Sequence, residues 1–341
     1  MATILSTSGV SKRFGDLDAL NGVSLEIREG EFFTVVGPSG SGKSTFLRIL
    51  AGLEAPDAGR VRLRGEDITE VPANRRPTCM VFQNLALFSH RTVGENIEFS
   101  LKMKRVAQRE RRERALETMR IVRLPESYYS RRVTQCSGGE RQRVALARAL
   151  ASDPEILFFD EPLSSIDYRL RKILEVEMKD LHRRTRKTFV YITHSLEEAM
   201  VMSDRVAILN EGRVVQTGTP AEIYYRPANC FVAEFMGEVN VFELNDGKIV
   251  ELEVPAPGTL SGYLVVRPEF LRKLDAGEVA DVRFAATVAN DYMLGSRTHY
   301  HLRVGEVALV AEVSAGQSAT LCPGDRADWG FDLADSALLT E

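Results

Sequence analysis

The chain has 341 residues, 44% hydrophobic and 27% charged, a globular composition that excludes wholesale disorder. Lys plus Arg total 44 against 48 Asp plus Glu, and a formal net charge of −4 argues against a dedicated nucleic-acid binder, which carries a basic excess. At about 150 residues per domain, the length predicts two domains. No stretch approaches the ~18–20 consecutive apolar residues that cross a bilayer. The opening MATILSTSGVSKRF lacks the apolar run of a secretory signal. The chain is therefore expected to be soluble and to stay on the side of the membrane where it is made. It remains free to sit on a membrane through a partner. Cys79, Cys136, Cys230 and Cys322 are far apart with no CxxC pair, so neither a zinc site nor a disulfide framework is expected.

In chain order, the first two-thirds alternates short apolar runs with helical patterns. Strands are expected at 31–36, 156–159, 188–193 and 205–209, and helices at 43–51, 139–151, 169–184 and 196–203. Runs that are apolar on both faces fit a mostly parallel sheet covered on two sides, hence an α/β fold. The basic stretch KMKRVAQRERRER at 102–114 reads as a solvated helix in a surface subdomain. It has no interleaved aromatics to stack on bases. Character changes near Gly237. Short alternating strands follow, broken at Asp246-Gly247, Pro255-Ala256-Pro257-Gly258, Ala276-Gly277 and Pro323-Gly324-Asp325. The expected layout is a catalytic domain over 1–237, with a helical subdomain at about 88–150, and an all-β domain over 238–341 forming a small barrel.

Gly37-Pro38-Ser39-Gly40-Ser41-Gly42-Lys43-Ser44-Thr45 follows an expected strand and opens an expected helix. This is a P-loop in the context the motif requires. Its glycines let successive N–H groups point at phosphate oxygens, and the helix N-terminus adds partial positive charge. Lys43 is expected to reach the β- and γ-phosphates and Ser44 to coordinate Mg²⁺. The strand at 156–159 delivers Asp160, expected to hold Mg²⁺, and Glu161, placed to polarise an attacking water. Gln83 ends another strand, with reach to Mg²⁺ and that water. His194 ends a fourth and is a candidate γ-phosphate contact. These residues indicate a nucleoside triphosphate without naming the reaction.

Cys136-Ser137-Gly138-Gly139-Glu140-Arg141-Gln142-Arg143 precedes the Asp160-Glu161 strand and resembles the signature of ATP-binding-cassette (ABC) ATPases. Gln83, His194 and Ser165-Ile166-Asp167 stand in that family's order. The resemblance implies ATP hydrolysis with Mg²⁺. It also implies a head-to-tail homodimer in which Ser137, Gly138 and Gly139 of each cassette cap the γ-phosphate held by the other. Ser137-Gly138-Gly139 opens a helix, a second anion-binding N-terminus that one chain does not need for one triphosphate. Asp167 falls among the family's nucleotide contacts. Phe14 falls where the family stacks a ring on adenine; read alone, it is more readily a core residue. Cys136, Glu140, Ile166 and Ser195 depart from the usual leucine, glutamine, leucine and aspartate. Glu140 puts a negative charge near the phosphates.

The residues 231–240, Val266-Arg267-Pro268-Glu269 and Leu294-Gly295-Ser296 resemble importer ATPases of the spermidine/putrescine type with a C-terminal TOBE barrel of oligonucleotide-binding-like form. Pro72-Ala73-Asn74-Arg75-Arg76-Pro77 and Ala86-Leu87-Phe88 point the same way. Iron(III), thiamine and aminoethylphosphonate importers share much of this text. The resemblance implies two integral-membrane permease subunits, an extracytoplasmic solute-binding protein acting indirectly, and a place on the cytoplasmic face of the inner membrane. No nucleic-acid partner is expected. Leu87 and Phe88 are either exposed anchors for the permease or packing residues of the helical subdomain. Two other classes compete. A soluble ABC ATPase acting on nucleic acid or ribosomes would carry a long insertion between P-loop and signature, or two fused cassettes. A P-loop kinase would lack the signature.

Overall fold

Strands that are apolar at every position end up in the middle of a six-stranded sheet, where both faces are covered. The computed structural model describes residues 2–164, 166–252, 254–255, 261–314 and 321–339. The chain falls into two compact units, Met1–Pro220 and Ala221–Glu341. The first unit opens with β1 (Thr3–Phe14), β2 (Leu17–Arg28), β3 (Phe32–Val36), α1 (Lys43–Leu50), β4 (Ala58–Leu63), β5 (Glu66–Asp67) and β6 (Thr78–Val81). It continues with α2 (Val93–Ile97), α3 (Phe99–Met103), α4 (Gln108–Ile121), α5 (Gly138–Ala151) and β7 (Ile156–Asp160). It closes with α6 (Tyr168–Thr185), β8 (Thr188–Ile192), α7 (Leu196–Met202), β9 (Arg205–Asn210) and β10 (Arg213–Gly218).

The main sheet has the order β10-β9-β3-β8-β7-β6. It is parallel from β9 to β6, with β10 antiparallel at one edge. Side chains alternate across it. Phe32, Leu157, Phe159, Phe189 and Tyr191 face a core shared with α2, α4 and α5. Phe33, Val35, Phe158, Val190 and Ile192 face α1 and a second, antiparallel sheet of order β2-β1-β4-β5. That second sheet has no counterpart among the strands expected from sequence. Among the described residues no helix is long and apolar enough to cross a membrane.

The basic stretch 102–114 is not one helix. Helix α3 ends at Met103, Arg105 takes a left-handed φ of 59°, and α4 begins at Gln108. Arg109 pairs with Glu113 at 3.0 Å and Arg114 with Glu110 at 2.7 Å on the surface, while half-buried Arg111 reaches inward to buried Glu98 at 3.2 Å. The face is solvated and laced with ion pairs of opposite sign.

The second unit takes in all but the first residue of α8 (Pro220–Tyr225), then α9 (Cys230–Phe235), β11 (Asn240–Asn245), β12 (Lys248–Ile249), β13 (Val254–Pro255) and β14 (Gly262–Val266). After these come β15 (Arg272–Lys273), β16 (Val282–Met293), β17 (Arg297–Val304), β18 (Val307–Ser314), β19 (Arg326–Phe331) and β20 (Ser336–Leu339). Two antiparallel five-stranded sheets, β13-β12-β11-β14-β20 and β15-β19-β16-β17-β18, close on one core around Phe242, Val266, Phe284, Trp329 and Phe331. This is the oligonucleotide-binding-like β domain the sequence anticipates. The two compact units divide at 220/221, one residue into α8. Buried Arg267, just after β14, donates to the carbonyls of Tyr224 (3.0 Å) and Ala233 (2.9 Å) and lies 4.1 Å over the Tyr224 ring. That single guanidinium ties α8 and α9 to the β domain, a tertiary tie with no local signal.

Candidate active site

The loop from β3 to α1 turns where side chains do not fit. A Cβ at Gly37 would collide with the carbonyl oxygen of Leu209, and one at Gly42 with that of Ala19. Gly40 and Gly42 hold φ values of 81° and 99°, backbone that only glycine adopts at low cost. Pro38 is half-buried and Ser39 exposed. Ser41 is buried, and its hydroxyl has no hydrogen-bond partner. Lys43, the first residue of α1, is 7% exposed, and its ammonium donates to the carbonyls of Gly37 and Pro38, each at 2.9 Å. Burial pulls the Lys43 pKa below the ordinary lysine value, partly offset by Glu161 and Asp160. An under-compensated buried cation beside an orphaned hydroxyl is a cradle built for an anion. Thr45, half-buried, follows Ser44 on α1.

Strands β3, β7 and β8 are parallel neighbours, so their carboxyl ends bring the sequence-predicted residues to one edge. The Ser44 hydroxyl donates to Asp160 Oδ1 at 3.2 Å. Burial raises the Asp160 pKa, opposed by the Ser44 bond. Glu161, at φ 45°, donates its N–H to the Ile192 carbonyl at 3.0 Å and places Oε2 2.9 Å from His194 Nδ1. Gln83 lies two residues past β6. Its amide donates to Ser164 Oγ at 2.9 Å, and that hydroxyl donates to the Glu161 carbonyl at 3.0 Å. Ser164 carried no sequence signal. Ser44 and Asp160 present a hydroxyl and a carboxylate side by side, hard oxygen donors that fit Mg²⁺. No cluster of three or more His, Cys, Asp or Glu side chains suited to a metal occurs among the described residues. Mg²⁺ does not need one, because it typically uses one or two carboxylates plus substrate phosphates and waters.

The signature opens α5. Ser137 is its N-cap, accepting from the Glu140 N–H at 3.3 Å, while Glu140 Oε2 accepts from the Ser137 N–H at 2.8 Å. This reciprocal capping box gives Glu140 a local structural role, one that the usual glutamine could also fill. The Tyr128 hydroxyl also donates to it at 3.0 Å. The Ser137 and Tyr128 bonds hold the Glu140 carboxyl below its ordinary range. Nothing lies within 4 Å of where a Gly138 Cβ would sit, and Gly139 is nearly as open, with only Leu170 in ordinary contact. Cys136 is buried in the helical core, filling an apolar position. Among the described residues no hydrogen bond joins residues 137–139 to residues 37–45. Ser195 caps α7 by accepting from the Glu198 N–H at 3.3 Å, a role serine and aspartate share. Asp167 caps α6 by accepting from the Leu170 N–H at 3.0 Å. Ser165 lies outside the described residues. Phe14, at the end of β1, is 47% exposed and is no core residue; the Lys12 ammonium lies 5.3 Å from its ring centre. Leu87 and Phe88 are half-buried. Leu87 packs on the helical core, and the Phe88 ring lies 4.5 Å from that of Phe99, tilted by 50°. Arg148 of α5 donates to the carbonyls of Leu85 (2.6 Å) and Ala86 (2.7 Å), two consecutive residues in left-handed conformation.

Fold and site together define a P-loop ATPase cassette carrying a C-terminal β domain. The ABC transporter family model matches residues 20–164, and the TOBE domain model matches 264–339. The spermidine/putrescine import ATP-binding protein PotA of Thermotoga maritima is 42% identical over 323 residues, 89% of this chain and 87% of that protein. PotA of Bacillus cereus is 38% identical over 349 residues, 99% of this chain and 100% of its own. Among solved structures, a dimeric ATP-binding cassette in a post-hydrolysis state with ADP and Pi aligns at TM-score 0.56 and 33% identity. It covers 64% of this chain and 99% of its own. A nucleotide-free cassette from an ABC transporter aligns at TM-score 0.60 and 27% identity, over 70% of this chain and 100% of its own. The chain belongs to the ABC import ATP-binding proteins of the spermidine/putrescine type. It is an ATP-hydrolysing, energy-coupling subunit.

Proposed function

We propose that this chain drives polyamine import as a homodimer docked beneath two permease subunits at the cytoplasmic face of the inner membrane. The observation that carries the cargo reading is the match to PotA proteins along nearly the whole chain, TOBE region included. Cargo is delivered to the permease by an extracytoplasmic binding protein.

The geometry supports a role for each side chain. The N–H groups of 37–45 cradle the phosphates, and Lys43 leaves its two carbonyls for the β- and γ-phosphates. Ser44 and Asp160, with Gln83, would hold Mg²⁺, which neutralises phosphate charge when bound. Glu161, fixed by its N–H bond to Ile192, orients and deprotonates the attacking water. His194, in contact with Glu161, holds the γ-phosphate. Phe14 presents an open ring to adenine. Ser137, Gly138, Gly139 and Asp167 belong to the nucleotide site of the opposing cassette.

The test is uptake of labelled spermidine and putrescine into vesicles bearing the reconstituted complex. ATP-dependent uptake that is lost with Lys43→Met supports the reading. Uptake confined to iron(III), thiamine or aminoethylphosphonate overturns the cargo while leaving the ATPase intact.

A further inference from the structure

Glu198, in the first turn of α7, is 2% exposed and has no part in the chemistry above. Its Oε2 accepts from the Tyr191 hydroxyl and from the Thr193 hydroxyl, both at 2.8 Å. Thr193 Oγ1 in turn accepts from the Ser195 N–H at 2.9 Å. The chain of donors from Ser195 through Thr193 to Glu198 therefore fixes the backbone on both sides of His194. The His194 side chain is 57% exposed, and Glu161 is its hydrogen-bond partner. Its position is thus set by its backbone more than by packing. The second carboxylate oxygen of Glu198 lies 4.0 Å from Arg171 Nε, a buried donor with no hydrogen-bond partner of its own. Arg171 Nη2 donates to the Ile166 carbonyl at 2.9 Å, one residue before Asp167. A buried carboxylate is costly to desolvate and is a poor device for stability alone.

We propose that Glu198 is a positioning residue for ATP hydrolysis: one buried carboxylate holds His194 against Glu161 and, through Arg171, ties that histidine to the segment entering α6. This rests on reading Glu161 and His194 as the hydrolytic pair. Losing a buried hydrogen-bonded anchor is expected to cost kcat about tenfold or more with little change in binding.

The experiment measures kcat and KM for ATP separately in the full chain, alongside nucleotide affinity and thermal melting. Glu198→Ala should lower kcat at least about tenfold with KM within about twofold, and Glu198→Gln, which keeps an acceptor oxygen, should recover part of the loss. Thr193→Val should reproduce most of the effect without touching the carboxylate, and it carries the test if Glu198→Ala fails to fold. The double variant Glu198→Ala/His194→Ala should be little worse than His194→Ala alone. Parental kcat in folded Glu198→Ala and Thr193→Val beside an impaired His194→Ala overturns the proposal alone. So do losses that multiply in the double variant. Parental kcat in His194→Ala overturns the underlying reading of the pair, and the proposal falls with it.

Discussion

Lys43→Met separates what Lys43 does for the fold from what it does for the ligand. In the free chain the ammonium is buried at 7% exposure, bonded to two carbonyls at 2.9 Å, and its pKa is depressed by burial. Removing it loses two charge-assisted bonds but also removes an under-compensated buried charge. The two effects oppose, and the change in stability should stay within about 2 kcal/mol. Affinity behaves differently. A unit charge about 4 Å from a phosphate charge, at an effective dielectric near 20, is worth roughly 4 kcal/mol, or about a thousandfold in Kd. Calorimetric titration with ATP and with AMP, paired with denaturant melts, reads both quantities. ATP affinity should fall about a thousandfold while AMP, which lacks the distal phosphates, changes little. A folded Lys43→Met protein that binds ATP within tenfold of the parent would mean that Lys43 does not hold the distal phosphates.

Gly42→Ala forces a Cβ into a residue at φ 99° and against the Ala19 carbonyl. Stability should drop by about 2 kcal/mol or more in urea melts. An unchanged midpoint would show that the loop re-forms freely. Asp160→Asn tests the buried acid. Burial raises the Asp160 pKa above its ordinary 3.8, so its favourable contribution is complete below that value and is lost as pH rises through the raised one. The asparagine variant should therefore melt higher than the parent at neutral pH, with the gap closing toward pH 3.8. A gap that widens on acidification reverses the sign of the argument.

The parallel strands were legible because burial on both faces leaves a continuous apolar run, as in 156–159. The P-loop was legible because its glycines answer local steric demands at Gly37, Gly40 and Gly42. The antiparallel sheet was less so. Val23, Leu25 and Ile27 alternate on β2, a period-two signal, but exposed polar residues between them dilute it. The capping box Ser137-x-x-Glu140 was readable from spacing, yet Glu140 looked like a departure rather than a cap. The contacts of Arg267, Ser164, Arg148 and Glu198 had no local signal, even though Arg267 stands in the stretch Val266-Arg267-Pro268-Glu269, since each acts on residues far away in the chain or on backbone atoms whose placement is tertiary. Distance in sequence also hid the tie from Arg267 to the Tyr224 carbonyl, 43 residues earlier in the chain.

Under the proposed function, two copies of this chain close on ATP and Glu161 drives its hydrolysis. Analytical ultracentrifugation of Glu161→Gln with ATP and Mg²⁺ tests this most directly. The glutamine removes the base while leaving Lys43, Ser44 and Asp160 to bind, so an ATP-dependent dimer holding two unhydrolysed nucleotides is expected. A protein that binds ATP yet sediments as a monomer at saturating nucleotide would contradict it.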